Sequence, residues 1–144
     1  MLLSTLQKES SMNKMSPKST RPAAVSQGNI LYGENDEQVL KTQSKLFENA
    51  GYKVEVAIGR KAIEQVLRQG HFDVVVLGHT LNKDDRHHLP YMAKKSGEDT
   101  QVLVLHASGK HPAVDRAIDS REGDEAVLKV LGTLAQSKYL AVAV

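Results

Sequence analysis

The sequence predicts an α/β domain built on a doubly wound, five-stranded parallel sheet. Three observations carry that expectation. Short β-type runs alternate with helix-spaced amphipathic segments from Asn29 onward. Two of these runs, Phe72-Asp73-Val74-Val75-Val76-Leu77 and Val102-Leu103-Val104-Leu105, are almost continuously aliphatic, as central strands buried on both faces are. Strands that alternate with helices place those helices on both faces of one parallel sheet.

The first strand is Ile30-Leu31-Tyr32, which runs into the polar loop Gly33-Glu34-Asn35-Asp36. Asp36 is suited to cap the following helix, whose apolar positions Val39, Leu40, Leu46, Phe47 and Ala50 recur near helical spacing and stop at Gly51. Tyr52–Ala57 alternates apolar and polar residues, as a half-buried strand does. After Gly59, Ala62, Ile63, Val66 and Leu67 form an amphipathic helix closed by Gly70. The third strand, Val74–Leu77, ends at the loop Gly78-His79-Thr80-Leu81-Asn82. Between Lys83 and Lys95 the pattern is weak: Leu89, Met92 and Ala93 predict a short helix, with Pro90 tolerated only in its first turn. The fourth strand, Val102–Leu105, is followed by the loop 106–112, an edge strand within Ala113–Ile118, and a last helix that starts near Gly123.

Composition narrows the function. Hydrophobic residues make up 40% of the chain, enough for one core, and aromatics only 4%, so aliphatic side chains fill it. The absence of Cys excludes disulfides, thiolate nucleophiles and Cys-ligated metals, and fits a cytoplasmic protein. Residues 1–28 carry Lys8, Lys14, Lys18 and Arg21 against Glu9 and read as a disordered extension. The remainder holds 15 basic and 16 acidic residues, which does not suit a nucleic-acid binder. No run is long and apolar enough for a membrane span. The domain is expected over 29–136. Residues 137–144 form a tail that serves as an added strand, a helix extension or a sticky end, and the short tail leaves no room for an attached DNA-binding domain.

In an open parallel sheet the functional loops lie at the carboxyl ends of the strands, here 33–36, 78–82, 106–112 and 119–123. The blocks from Ile30 to Asp36, Ala50 to Val54, Phe72 to Leu77 and Val102 to Ser108 agree in order and spacing with one family. The chain resembles the response-regulator receiver family, which has the CheY-like, flavodoxin-like fold. The short stretch between Ser108 and Val114 implies that the family's fourth helix is shortened or absent.

The resemblance also implies which positions once carried chemistry. The phosphoacceptor Asp of the third strand aligns with Gly78, and the Mg²⁺-holding acidic pair with Glu34 and Asn35, beside Asp36. The Ser/Thr switch position aligns with His106, and the paired Lys with Ser120, next to Asp119. Four of the five positions have changed, and Mg²⁺, which is usually held by carboxylates, is not expected as a cofactor. The implied function is a pseudo-receiver: a non-enzymatic signalling module without aspartyl phosphorylation. Its partner is a protein, either a sensor kinase or an output protein, with a homodimer as a further option. Two alternatives stay open: a receiver that accepts phosphate at a non-standard site, and a small-ligand or metal-binding flavodoxin-like domain.

Other motifs weigh less. His87 and His88 are adjacent and do not share a helix face as a zinc pair does. His79 and His106 follow central strands and, with Glu34, are candidate metal ligands. As a phosphate acceptor, His79 sits one residue late, where strand alternation turns its side chain away from the pocket. Ser108, His106 and Asp36 lack the Gly-x-Ser-x-Gly elbow of a hydrolase. No phosphate-binding glycine loop occurs.

Overall fold

The structure, a computed structural model, describes residues 27–107 and 110–143, with side chains as far as Gln136. Its elements are β1 (Asn29–Glu34), α1 (Glu37–Asn49), β2 (Lys53–Ile58), α2 (Gly59–Gln69), β3 (Val74–Leu77), α3 (Lys83–Ser96), β4 (Gln101–Val104), β5 (Arg116–Ala117), a 3₁₀ turn (Ser120–Glu122) and α4 (Asp124–Ala143). All strand pairs are parallel, in the order β2-β1-β3-β4-β5. This is the flavodoxin-like doubly wound order, whose switch point lies between β1 and β3.

Alternation along the central strands builds two core layers. Ile30, Tyr32, Val74, Val76 and Leu103 face α1 and α4, where they meet Phe47, Val127 and Leu131. Leu31, Val75, Leu77, Val102 and Val104 face α2 and α3, where they meet Ile63, Leu67, Leu89 and Ala93. Every residue of β3 is fully buried. Each such aliphatic side chain contributes roughly 1.5–3 kcal/mol on burial. The Tyr32 and Phe47 rings meet edge to face at 5.1 Å and supply much of the scarce aromatic volume.

Polar side chains fix the strand starts. Asp73 Oδ2 accepts from Asn29 N at 2.9 Å, tying β3 to β1. Buried Thr100 donates to Phe72 O at 2.8 Å. Asp115 Oδ2 accepts from Val102 N and from Lys94 Nζ, both at 2.7 Å, joining β4, α3 and the approach to β5.

Several boundaries differ from expectation. Residues 1–26 of the anticipated extension lie outside the described residues. Gln27 and Gly28 are already tied to the segment that leads into β2: Gln27 N donates to Gly51 O and Gly28 O accepts from Lys53 N, both at 2.9 Å. In place of a short helix with Pro90 near its first turn, α3 spans 14 residues with Pro90 in its interior. Pro90 leaves the Arg86 carbonyl without its intrahelical donor. Offsetting this are the Asn82 cap on Asp85 N (2.8 Å), acidic Asp84 and Asp85 in the first turn, Lys94 and Lys95 in the last, and the buried face of Leu89, Pro90 and Ala93.

The edge strand contracts to Arg116–Ala117, because Pro112 lacks a donor and His111–Val114 closes a turn (Val114 N to His111 O, 3.1 Å). Among the described residues no helix joins β4 to β5. The segment expected as a tail continues α4 to Ala143, the helix extension among the three alternatives. No helix among the described residues is long and apolar enough to cross a membrane.

Asp36 caps α1 as its sequence position implies: Oδ1 accepts from Gln38 N at 2.9 Å and Val39 N at 3.0 Å. Asp36→Ala is expected to lower stability by about 1 kcal/mol and Asp36→Asn by much less, measured as shifts in the urea unfolding midpoint.

Candidate functional site

The site lies where the fold places it, at the carboxyl ends of β1 and β3. The ladder pairs Gly33 with Leu77, so Glu34 and Gly78 stand side by side one residue further on. Gly78 N still donates to Gly33 O at 2.9 Å. Tyr32 and Glu34 are two residues apart on β1 and share a face.

Glu34 is fully buried. The Tyr32 hydroxyl donates to its Oε2. Thr80 donates twice to Oε1, from its backbone N at 3.0 Å and from Oγ1 at 2.6 Å. Both oxygens therefore act as acceptors, the role that suits a carboxylate. The carboxyl occupies the space beside Gly78: a Cβ built there would overlap Glu34 Cδ and both of its oxygens. Position 78 is thus a glycine whose missing side-chain volume is filled by its neighbour.

Thr80 organises the rest of the loop. Its Oγ1 accepts from Asn35 N at 2.8 Å and Asp36 N at 3.1 Å, and its carbonyl accepts from Asn35 Nδ2 at 3.2 Å. Glu34, Asn35 and Asp36, read from the sequence as a polar loop ahead of α1, part in direction. Glu34 turns inward, while Asn35 and Asp36 are exposed and spend their polar groups on loop and cap bonds.

The remaining predicted positions are separate. Half-buried His106 has an Nδ1 without a hydrogen-bond partner. Ser120 Oγ lies 3.5 Å from His79 Nδ1. His79 is exposed and no longer part of a strand: β3 ends at Leu77, and the chain turns from Gly78 to Leu81 (Leu81 N to Gly78 O, 3.3 Å). Beside Ser120, Asp119 caps the 3₁₀ turn, and Arg121 grips it through Nη2 (2.6 Å) and Nε (3.0 Å). Those guanidinium bonds, the Arg121 N–H and the nearby His106 hold the Asp119 carboxyl well below the usual range. Among the described residues no three His, Asp or Glu side chains gather as a metal site, and His79, His106 and Glu34 do not converge.

Tyr32 and Thr80 were not singled out from sequence. The signal was present: a Tyr two residues before a strand-end Glu, and a Thr two residues after the glycine that the Glu faces.

No family model and no curated protein matches the chain. Solved structures do. The response regulator TrrA of Thermotoga maritima, solved with Mg²⁺ and BeF, superimposes with a TM-score of 0.64 at 13% identity, over 74% of this chain and 97% of that one. The chemotaxis response regulator CheY4 of Vibrio cholerae gives 0.64 at 17% identity, over 74% and 97%. The receiver domain of the hybrid histidine kinase CckA gives 0.64 at 18% identity, over 76% and 100%. The fold is that of receiver domains. On this receiver fold, Gly78 and Glu34 sit at the switch point of the sheet, where open α/β folds place their sites.

Two predictions follow from this geometry. Gly78→Asp should cost roughly 3 kcal/mol or more, since it overfills the site and sets two carboxyls together. In the Glu34→Ala background the same change should cost less, by about 1 kcal/mol or more, read from a double-mutant cycle of urea denaturation. Burial, and then the Glu34 carboxyl, push the Tyr32 phenol far above its ordinary value; burial also raises Tyr52. A raised phenol stabilises the fold fully below the unfolded pKa of about 10 and loses that contribution as pH climbs beyond it. Stability should therefore fall as pH rises above about 10, and less steeply in Tyr32→Phe, measured as unfolding midpoints at successive alkaline pH values.

Proposed function

We propose that this protein is a pseudo-receiver, a non-enzymatic signalling module that acts through protein–protein contact without aspartyl phosphorylation. The observation that supports this most directly is the Glu34 carboxyl lodged in the space beside Gly78. An acyl-phosphate forms only if a carboxylate at that position can reach a phosphodonor. Gly78 offers no nucleophile, and Glu34 is fully buried with both oxygens engaged.

The donor set does not fit Mg²⁺. That ion favours octahedral oxygen ligation by exposed carboxylates and waters. Here Glu34 faces inward, the Asn35 amide nitrogen is spent on Thr80 O, and Asp36 caps α1. The switch positions have changed in the same sense: His106 and Ser120 replace the hydroxyl and the ammonium that would read a phosphoryl group. The closed loop network around Thr80 supports one fixed state. In this reading the domain presents a constant surface in the cytoplasm to a sensor kinase or an output protein.

The test is direct. The full chain is incubated with Mg²⁺ and acetyl phosphate and its intact mass is measured. The mass is expected to stay unchanged; one phosphoryl group added per chain overturns the proposal and favours a non-standard acceptor.

A further inference from the structure

A parallel crossover normally lays a helix over the sheet, and the described part of the β4–β5 connection has none. α3 covers the β3–β4 side of this face. Beyond it lies a groove of two adjoining cavities, of about 230 and 600 Å³, which share Lys110, His111 and Val114. The floor is apolar, formed by buried Val104 and half-buried Val114. Tyr91, 45% exposed, adds an apolar ring where it meets His111 at 4.7 Å. Both nitrogens of His111 are engaged, with His87 O at 2.8 Å and Ala113 N at 3.0 Å, which fixes that wall.

The rim is cationic. Lys83, Arg86, Lys110 and Arg116 line the two cavities, and among the described residues none of them pairs with a carboxylate. The acidic residue in the lining, Asp115, is already bound to Lys94 and Val102 N. This concentration of charge stands on a chain whose residues 29–144 carry 15 basic and 16 acidic side chains. The chain's own segment 1–28, with four basic residues against one acidic, has the wrong sign to fill the groove.

We propose that the groove between α3 and β5 docks an acidic amphipathic helix of a partner protein, which supplies in trans the helical layer missing between β4 and β5. The apolar floor would take the helix's aliphatic face, and the four cations its carboxylates. The inference rests on the protein-contact reading above and specifies the partner's chemistry.

The probe is a fluorescein-labelled peptide of about 18 residues, long enough to be helical, with Leu and Ala on one face and Glu on the other. Its counterpart carries Lys for Glu. Anisotropy with the full chain should show saturable binding of the Glu peptide alone, weakening as salt rises. Lys83→Glu/Lys110→Glu/Arg116→Glu, and the milder Lys110→Glu, should reduce affinity, the triple variant by roughly tenfold or more. Lys61→Glu, on α2, should not. All four side chains altered in these variants are exposed, and circular dichroism verifies that the fold persists. Failure of the Glu peptide to bind, equal binding of the two peptides, unchanged affinity in the triple variant, or complete displacement by equimolar tripolyphosphate (a simple anion site) each overturns the proposal. Intact mass after acetyl phosphate treatment of the same preparation separates the two readings. An adduct sinks the pseudo-receiver whether or not the peptide binds; loss of peptide binding without an adduct sinks only the docking.

Discussion

A buried carboxylate governs the functional end of this protein. Removing Glu34 from water costs several kcal/mol unless its oxygens are bonded, and three donors from Tyr32 and Thr80 meet that demand. Each donor is fixed by something larger. Tyr32 is held in the aromatic contact with Phe47 under α1, and Thr80 by the loop that closes over β1 and β3. Through Thr80 the same network reaches Asn35 and Asp36, and so the start of α1. The strand ends, the loop and the helix cap share one set of hydrogen bonds. Loss of Tyr32 or Thr80 leaves an oxygen of the buried Glu34 short of a donor in a site of low dielectric.

The scaffold that positions this network is ordinary in its physics. The central strands are aliphatic on both faces, and a helical layer covers each. The departure lies at one edge, where β5 shortens to two residues and, among the described residues, no helix crosses from β4 to it. Asp115 takes over part of the work there: its carboxylate bonds the amide of Val102 in β4 and the ammonium of Lys94, pinning the edge through side-chain bonds where backbone pairing is short.

Much of the fold was legible in the sequence because its signals were local. Val74–Leu77 and Val102–Leu105 announce central strands; Asp36 and Gly51 bracket α1. The parallel sheet with helices on both faces followed from the alternation of elements, and its receiver-like topology from the resemblance of four sequence blocks. α3 was misjudged because Pro90 and a run of charges mask a helix whose stability comes from its cap, its dipole and one buried stripe. The site was legible at Gly78, where the resemblance marks an absent side chain. What fills that space was not. It depends on register between β1 and β3, which are far apart in sequence, and on a turn that takes His79 and Thr80 out of strand alternation.

The overlap between Glu34 and position 78 also bears on what the sequence can become. A single change at Gly78 meets a space already full, while a change at Glu34 alone strands the hydroxyls of Tyr32 and Thr80. Each one-step path toward an acidic residue at the end of β3 passes through a less stable protein, and only a paired change avoids both. The filled site therefore disfavours a carboxylate at position 78 for as long as Glu34 holds its present place.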